Sequence, residues 1–422
     1  MELKGIDYLR TKLTYKRTRV LTRYSFYEMK QNVQDLGIST PPQLKWFQTV
    51  LGWCGKSVDS MADRLLFDKF KDDNFDLNGI FAMNNPDIFF DSAILSALIS
   101  ACSFVYISTD EDGFPRLQVL DGDNATGVVD TTTGMLFEGY AVLERDENQN
   151  PTLEAYFEPG RTTYYPIGEN PYSIDFDVNY PLLVPVIYRP DAKRPFGHSR
   201  ISRACMDIQS AAMRTFKRSE IAAEFYSFPQ KYVTGLSEDA EQMDKWRATM
   251  SSLLTFTKDE DGDKPTLGQF TTQSMEPHLS QLRLCASLFA GETGLTMDDL
   301  GIPTDNPSSS DAIKAAHENL RFTARKAQRF FGSAFLNVGI IAASIRDEFP
   351  YQRKAFYETK TVWLPIFEPD GASLSGIGDA ILKINQSVPN YINGDTLSEL
   401  TGIPYNEEEI NVGLFGDQGF NN

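Results

Sequence analysis

The run Pro195-Phe196-Gly197-His198-Ser199-Arg200-Ile201-Ser202-Arg203 is where the chain changes character. Short strand patterns precede it and a long helix follows. Pro195 and Gly197 break the strand pattern. Ile201, Ala204, Ile208, Ala211 and Ala212 then recur on one helical face. Helical character runs on to Phe225, and Pro229 ends it. A second helix carries Pro277 in its first turn and has Leu279, Leu282, Cys285, Leu288 and Phe289 as its apolar face. Gly291 and Gly294 close it. Between the two helices, residues 230–273 form a compact polar unit. Its expected parts are a strand at Lys231–Thr234, a helix around Asp239–Met250, a strand at Leu253–Thr257 and the acidic turn Asp259-Glu260-Asp261-Gly262-Asp263.

Downstream, the loop Gly301 to Pro307 leads to Ser308 and Asp311, which resemble a capping box. The longest helical pattern starts there. Ile313, Ala316, Leu320, Ala324, Ala327, Phe331, Ala334, Val338, Ile341 and Ile345 step by three or four. From Ser309 to Arg346 such a helix spans about 57 Å at 1.5 Å per residue. Lys314, Arg321, Arg325 and Arg329 lie along its polar side. They read either as a solvated, salt-bridged face or as a contact with a neighbouring subunit or nucleic acid. Residues 361–367 suggest a strand, Leu374–Ile384 a helix, and Ser398–Leu400 part of a short one.

Upstream, residues 1–85 read as helical. Leu44, Phe47, Val50 and Leu51 recur after Pro41-Pro42, and Val58, Met61, Ala62 and Leu65 continue the stripe. Asp87 to Ala101 fits a helix. Strands are expected at Ser103–Ser108, Arg116–Leu120, Glu138–Leu143, Leu153–Phe157 and Thr162–Pro166, separated by turn residues. The fold class is therefore α+β.

The 422 residues suffice for two to four packed units, and 41% hydrophobic with 23% charged residues is ordinary for a folded chain. The net charge is −18, unevenly spread: residues 1–30 carry eight Lys/Arg against Glu2, Asp7 and Glu28. An acidic chain grips nucleic acid poorly, because non-specific affinity comes from Lys/Arg neutralising phosphates. That argues against a conventional DNA binder. Cys54, Cys102, Cys205 and Cys285 are scattered and read as buried free thiols in a reducing compartment. No apolar signal segment opens the chain. The uncharged run Ser92–Thr109 reads as a buried helix entering a strand, so no membrane association is expected.

Motifs for chemistry fail. Gly55-Lys56-Ser57 ends like a phosphate-binding loop, but Val50 stands where its first glycine belongs. Asp259-x-Asp261-x-Asp263 starts like a calcium loop, yet Lys264 replaces the glycine. Asp121-x-Asp123 lacks the closing glutamate, with Thr132 in its place. His198, His278 and His317 are not paired at ligand spacing. Neither cofactor, metal nor catalytic residue is expected.

Five segments resemble, in order, the tailed-phage portal proteins of the SPP1-portal-like family. Pro195–Arg203 resembles the entry to the first stem helix, and Ala223–Gln230 its exit. Thr257–Asp263 with Gly268-Gln269-Phe270 resembles the clip. Ser274–His278 resembles the start of the second stem helix, and Asp305–Ile313 the end of the tunnel loop and the start of the wing helix. The resemblance implies a wing at 1–198, stem helices at 199–226 and 275–291, and a small α/β clip at 227–274. It also implies a tunnel loop at 292–308, the wing helix and strand at 309–372, and a helical crown at 373–422. It implies a twelve-copy ring at one capsid vertex, in the virion and, during assembly, in the host cytoplasm. Double-stranded DNA passes through such a ring, which docks the terminase large subunit, a head–tail adaptor, and capsid or scaffold proteins. Thr304, Asp305, Asn306, Pro307, Ser308, Lys314 and Arg321 are then expected to line the DNA channel. Lys258, Asp259, Glu260, Asp261 and Asp263 would meet clip partners, and Ile201, Ile208, Leu282 and Phe289 neighbouring subunits. The basic N-terminal arm is a further candidate for binding scaffold, shell or DNA. Another head–tail connector, or a metal-dependent nucleic-acid enzyme, is the alternative.

Overall fold

The computed structural model describes residues 3–36, 40, 42–227, 231–234, 266–269, 274–303, 316–367, 369 and 371–403. Helix and strand mix throughout, as the α+β class requires. The chain divides into two packed units.

The first unit draws on Met1–Glu28, Cys54–Ser202 and Ser308–Asn422. Its helices are α1 (Ile6–Tyr27), most of α2 (Trp53–Ala62), α3 (Leu77–Ala82) and α4 (Pro86–Ser100). A meander of five antiparallel strands runs β4 (Ala125–Val129), β5 (Leu136–Arg145), β6 (Pro151–Glu158), β7 (Arg161–Pro166) and β8 (Tyr172–Asp175). Helix α1 lays Leu9 and Leu13 on Tyr140, Val142 and Tyr156 of that sheet. Beside it, β2 (Cys102–Thr109) pairs with β3 (Pro115–Leu120) and β9 (Leu183–Ile187). Strand β9 contains Pro185 and lies at the sheet edge, where a residue without an N–H is tolerated. Strands β4, β8 and β9 do not show in the sequence pattern; the five that do match within one to two residues at most ends.

Strand β1 (Phe67–Lys71) pairs with β12 (Lys360–Trp363), joining segments nearly 300 residues apart. The expected strand at 361–367 is thus shorter. An aromatic cluster fixes this pairing. Phe67 lies 4.2 Å from Phe90, 5.3 Å from Trp363 and 5.7 Å from Phe335, centroid to centroid. Phe335 belongs to the long helix, which is described over Glu318–Arg346, 29 residues. It buries Leu320, Ala324, Ala327, Phe331, Ala334, Val338 and Ile341 of the stripe read from the sequence, and Phe335 beside them. The expected start at Ser309 and its capping box lie outside the described residues. Two helices, Gly371–Ser387 and Gly394–Thr401, follow.

The second unit comprises Met29–Trp53 and Arg203–Pro307. Its frame is α5 (Arg203–Ser227) packed on α6 (Glu276–Thr293), with β10 (Lys231–Thr234) pairing antiparallel with β11 (Thr266–Gln269). The expected helix at 239–250, strand at 253–257 and acidic turn lie outside the described residues. The helix expected through Leu44–Leu51 does not form. Only a single 3-10 turn, Pro42–Leu44, is present, and an extended path follows. Thr49 Oγ1 donates to Met213 O at 2.8 Å. Tertiary contact overrides the apolar spacing here.

Candidate assembly site

The motif that turns strand into helix acts as a joint. Gly197 has φ 71°, and a Cβ there would stand 2.1 Å from Tyr188 O. Only glycine fits both conditions. His198 N donates to Tyr188 O at 2.9 Å. Ser199 Oγ donates to Ile99 O at 2.5 Å, and Arg200 N to Leu98 O at 2.8 Å. Buried Arg200 also donates from Nε to Ser57 O at 3.1 Å. The carbonyls at the end of α4, which a helix leaves unsatisfied, thereby gain partners. The motif's residue types are structural donors and acceptors; on its rim, His198 Nε2 lies 2.6 Å from Asp191. Hydrogen bonding to His198 holds the Asp191 carboxyl down at about 2.

The two helices of the second unit present contrasting faces. Helix α6 buries Cys285, Ala286, Phe289, Ala290 and Thr293. Opposite, Leu284 and Leu288 stand one turn apart and are 59% and 55% exposed. Gly291 continues that face, and a side chain added there would find open space, with no atom within 4 Å of its Cβ. Phe289 meets Trp53 at 5.7 Å. Lys217 of α5, nearly fully buried, pairs with Asp35 at 2.7 Å. Sequence pattern does not reveal this ion pair, because nothing in the spacing of residues 182 apart announces it.

The four residues expected between subunits therefore separate. Ile201 and Phe289 are fully buried within the chain and offer a neighbour no surface. Ile208 and Leu282 are half-buried. Arg321 pairs with Glu318 at 2.5 Å, the salt-bridged alternative for that face. Thr304, Asp305, Asn306, Pro307, Ser308, Lys314, Lys258, Asp259, Glu260, Asp261 and Asp263 lie outside the described residues. Among the described residues, no group of three His, Cys, Asp or Glu is placed to hold a metal, and no helix is long and apolar enough to cross a membrane. The four cysteines are free; burial pushes the Cys102 thiol up to about 12.

A family model described as phage portal protein, SPP1 Gp6-like, matches residues 6–365. The portal protein of Mycobacterium phage L5 is 22% identical over 334 residues, covering 74% of this chain and 68% of that protein. The portal protein of Mycobacterium phage D29 is 23% identical with the same coverage. Among solved structures, a chain in the neck of an empty gene transfer agent particle aligns with TM-score 0.49 and 13% identity, over 84% of this chain and 90% of that one. A chain from the native gene transfer agent virion aligns with TM-score 0.43 and 13% identity, over 92% and 94%.

Proposed function

The chain belongs to the SPP1 Gp6-like family of phage portal proteins, and from that premise we propose that copies of it close a ring, of twelve subunits, at one vertex of a capsid. Double-stranded DNA enters and leaves through the ring. The family match across residues 6–365 carries this reading. In it, α5 and α6 are the stem and the β10–β11 pair is the base of the clip. The residues before the joint, with the long helix and β12, form the wing, and the helices after Gly371 form the crown.

The physical chemistry supports a ring and a conduit. Cyclic closure needs two different faces of each subunit to meet. Leu284 and Leu288 supply an apolar face that the chain itself leaves in water, the kind of surface that marks an interface. A net charge of −18 keeps DNA, with one charge per ~1.7 Å of axis, from adhering to the passage. The clip docks the terminase large subunit during packaging and a head–tail adaptor afterwards; capsid or scaffold proteins meet the wing. The ring is a virion component that assembles in the host cytoplasm, and it performs no catalysis of its own.

Electron microscopy of the purified protein tests this. The expected images are annular particles with a central hole and twelve-fold symmetry. A monomer that persists at micromolar concentration would overturn the ring. Hydrolysis of ATP or DNA by the purified protein with magnesium would overturn the absence of catalysis.

A further inference from the structure

The cations of α1 sort into two kinds. On one flank, Arg10 bonds Glu154 and Arg17 bonds Asp123 at 2.9 Å. On the other flank, Lys4, Lys12, Lys16, Arg19 and Arg23 line a cleft of about 380 Å³ in the first unit, and none of them forms an ion pair among the described residues. The far wall brings Lys193 and Arg194, and no carboxylate lines the cleft. Seven cations therefore line one cleft that has no carboxylate in its walls, in a chain of net charge −18. Such clustering is costly unless an anion relieves it.

The groups are placed, not merely present. Lys12 Nζ donates to Gly127 O at 2.5 Å and sits 4.9 Å above the Phe196 ring. Lys16 Nζ lies 5.8 Å above the same ring. Arg23 Nη1 donates to Ser100 O at 2.7 Å, while its buried Nε has no hydrogen-bond partner. Burial and the charges of Lys16 and Lys4 hold Lys12 down at about 8, and burial holds Arg23 down at about 10. The unrelieved repulsion is thus felt at the groups themselves.

We propose that this cleft is a binding site for the phosphodiester backbone of nucleic acid. Its shape favours an extended polyanion over a single small anion. Lys12 to Arg23 spans about 16 Å along the helix, with Lys4 just before its start, and each four-residue step is about 6 Å. That step is close to two phosphates along one strand, at about 3.4 Å per charge. The site does not depend on ring closure. It gives an otherwise acidic protein one place at which DNA can be held.

Fluorescence anisotropy of the full-length protein with a labelled 20-base-pair duplex, titrated from 50 to 200 mM salt, tests the assignment. Lys16 and Arg19 are exposed, so the double variant K16E/R19E leaves the core untouched. It is expected to lose at least tenfold in affinity at 50 mM salt and to flatten the salt slope by about two. K193E, on the opposite wall, should lose affinity without any change to the helix. K354E, exposed and not among the residues that line the cleft, should bind as the parent does. Equal affinity of the parent, K16E/R19E and K193E for the duplex would overturn the site. Displacement of the duplex by millimolar inorganic phosphate at matched ionic strength would overturn the backbone assignment in favour of a free phosphate. Displacement by an equally charged polyglutamate would overturn it in favour of an acidic peptide. Electron microscopy of the same variants reports ring closure separately, so failure of the cleft and failure of the ring are distinguishable.

Discussion

Lys217 Nζ and Asp35 Oδ2 lie 2.7 Å apart, joining the middle of α5 to the segment that precedes α2. Lys217 is 3% exposed and Asp35 19%. The hydrogen bond from Lys217 holds the Asp35 carboxyl below its ordinary value, with Thr40 and Arg218 helping. Its folded value is depressed, so the stability it contributes is present above the unfolded carboxylate range and disappears as pH falls through the folded value. Asp35→Asn strands a buried ammonium and is expected to cost about 3 kcal/mol at pH 7. Denaturant unfolding checks this. Parent and variant should converge in stability as the pH drops below about 4; an unchanged difference at low pH would remove Asp35 ionisation from the explanation.

Glu138 has an equivalent role at the start of the chain. Its carboxylate is 1% exposed and accepts from Lys4 N and Gly5 N, both at 3.0 Å, and from Tyr156 Oη at 2.9 Å. Gly5 is the N-cap of α1 and receives no cap from its own side chain, so Glu138 satisfies helix-terminal donors from across the sheet. Glu138→Ala leaves three donors without their acceptor and should lower stability by about 2–3 kcal/mol. Amide exchange in residues 4–9 should speed up before the rest of the chain responds. Uniform acceleration throughout would place the loss elsewhere.

Much of this frame is legible in the sequence, for reasons that differ by element. The long helix and α4 show because each buries an apolar stripe at its own period, a local property. The joint at Pro195–Arg203 shows as a signature, but its meaning does not, since Gly197 is demanded by the Tyr188 carbonyl on the far side of a turn and Arg200 by Ser57, remote in sequence. Strand β1, Phe-Asp-Lys-Phe-Lys, is half charged and exists because β12 and the cluster around Phe67 receive it. Phe289 reads as a subunit contact because apolar spacing alone cannot tell a face turned to the core from one turned to a neighbour. Leu284, outside the expected apolar face, and Leu279 and Leu288, within it, are the residues left facing out.

That exchange gives a paired test of the ring. Leu284→Asp with Leu288→Asp alters two exposed side chains, so the monomer should keep its helical circular dichroism and its melting temperature within a few degrees. Annular particles should be lost, as charges in an apolar contact go unpaired. Phe289→Ala, by contrast, opens the core beside Trp53 and should cost about 3–5 kcal/mol. Rings of normal yield from the double aspartate variant would move the interface to another face.

Lys12 supplies the last test, and its sign is opposite to that of Asp35. Desolvation first, then the charges of Lys16 and Lys4, lower its folded value to about 8; Cys102 and Glu138 act weakly the other way. Between about 8 and the unfolded value near 10.4, the unfolded chain binds more protons, so stability rises with pH across that window. In Lys12→Met this rise is absent. The parent should therefore gain on the order of 1–2 kcal/mol over the variant between pH 7 and pH 10, a figure reduced for screening at a half-exposed side chain. Paired thermal melts across that range measure it. A difference that stays flat with pH would mean that Lys12 titrates normally and that the cations of the cleft do not repel one another.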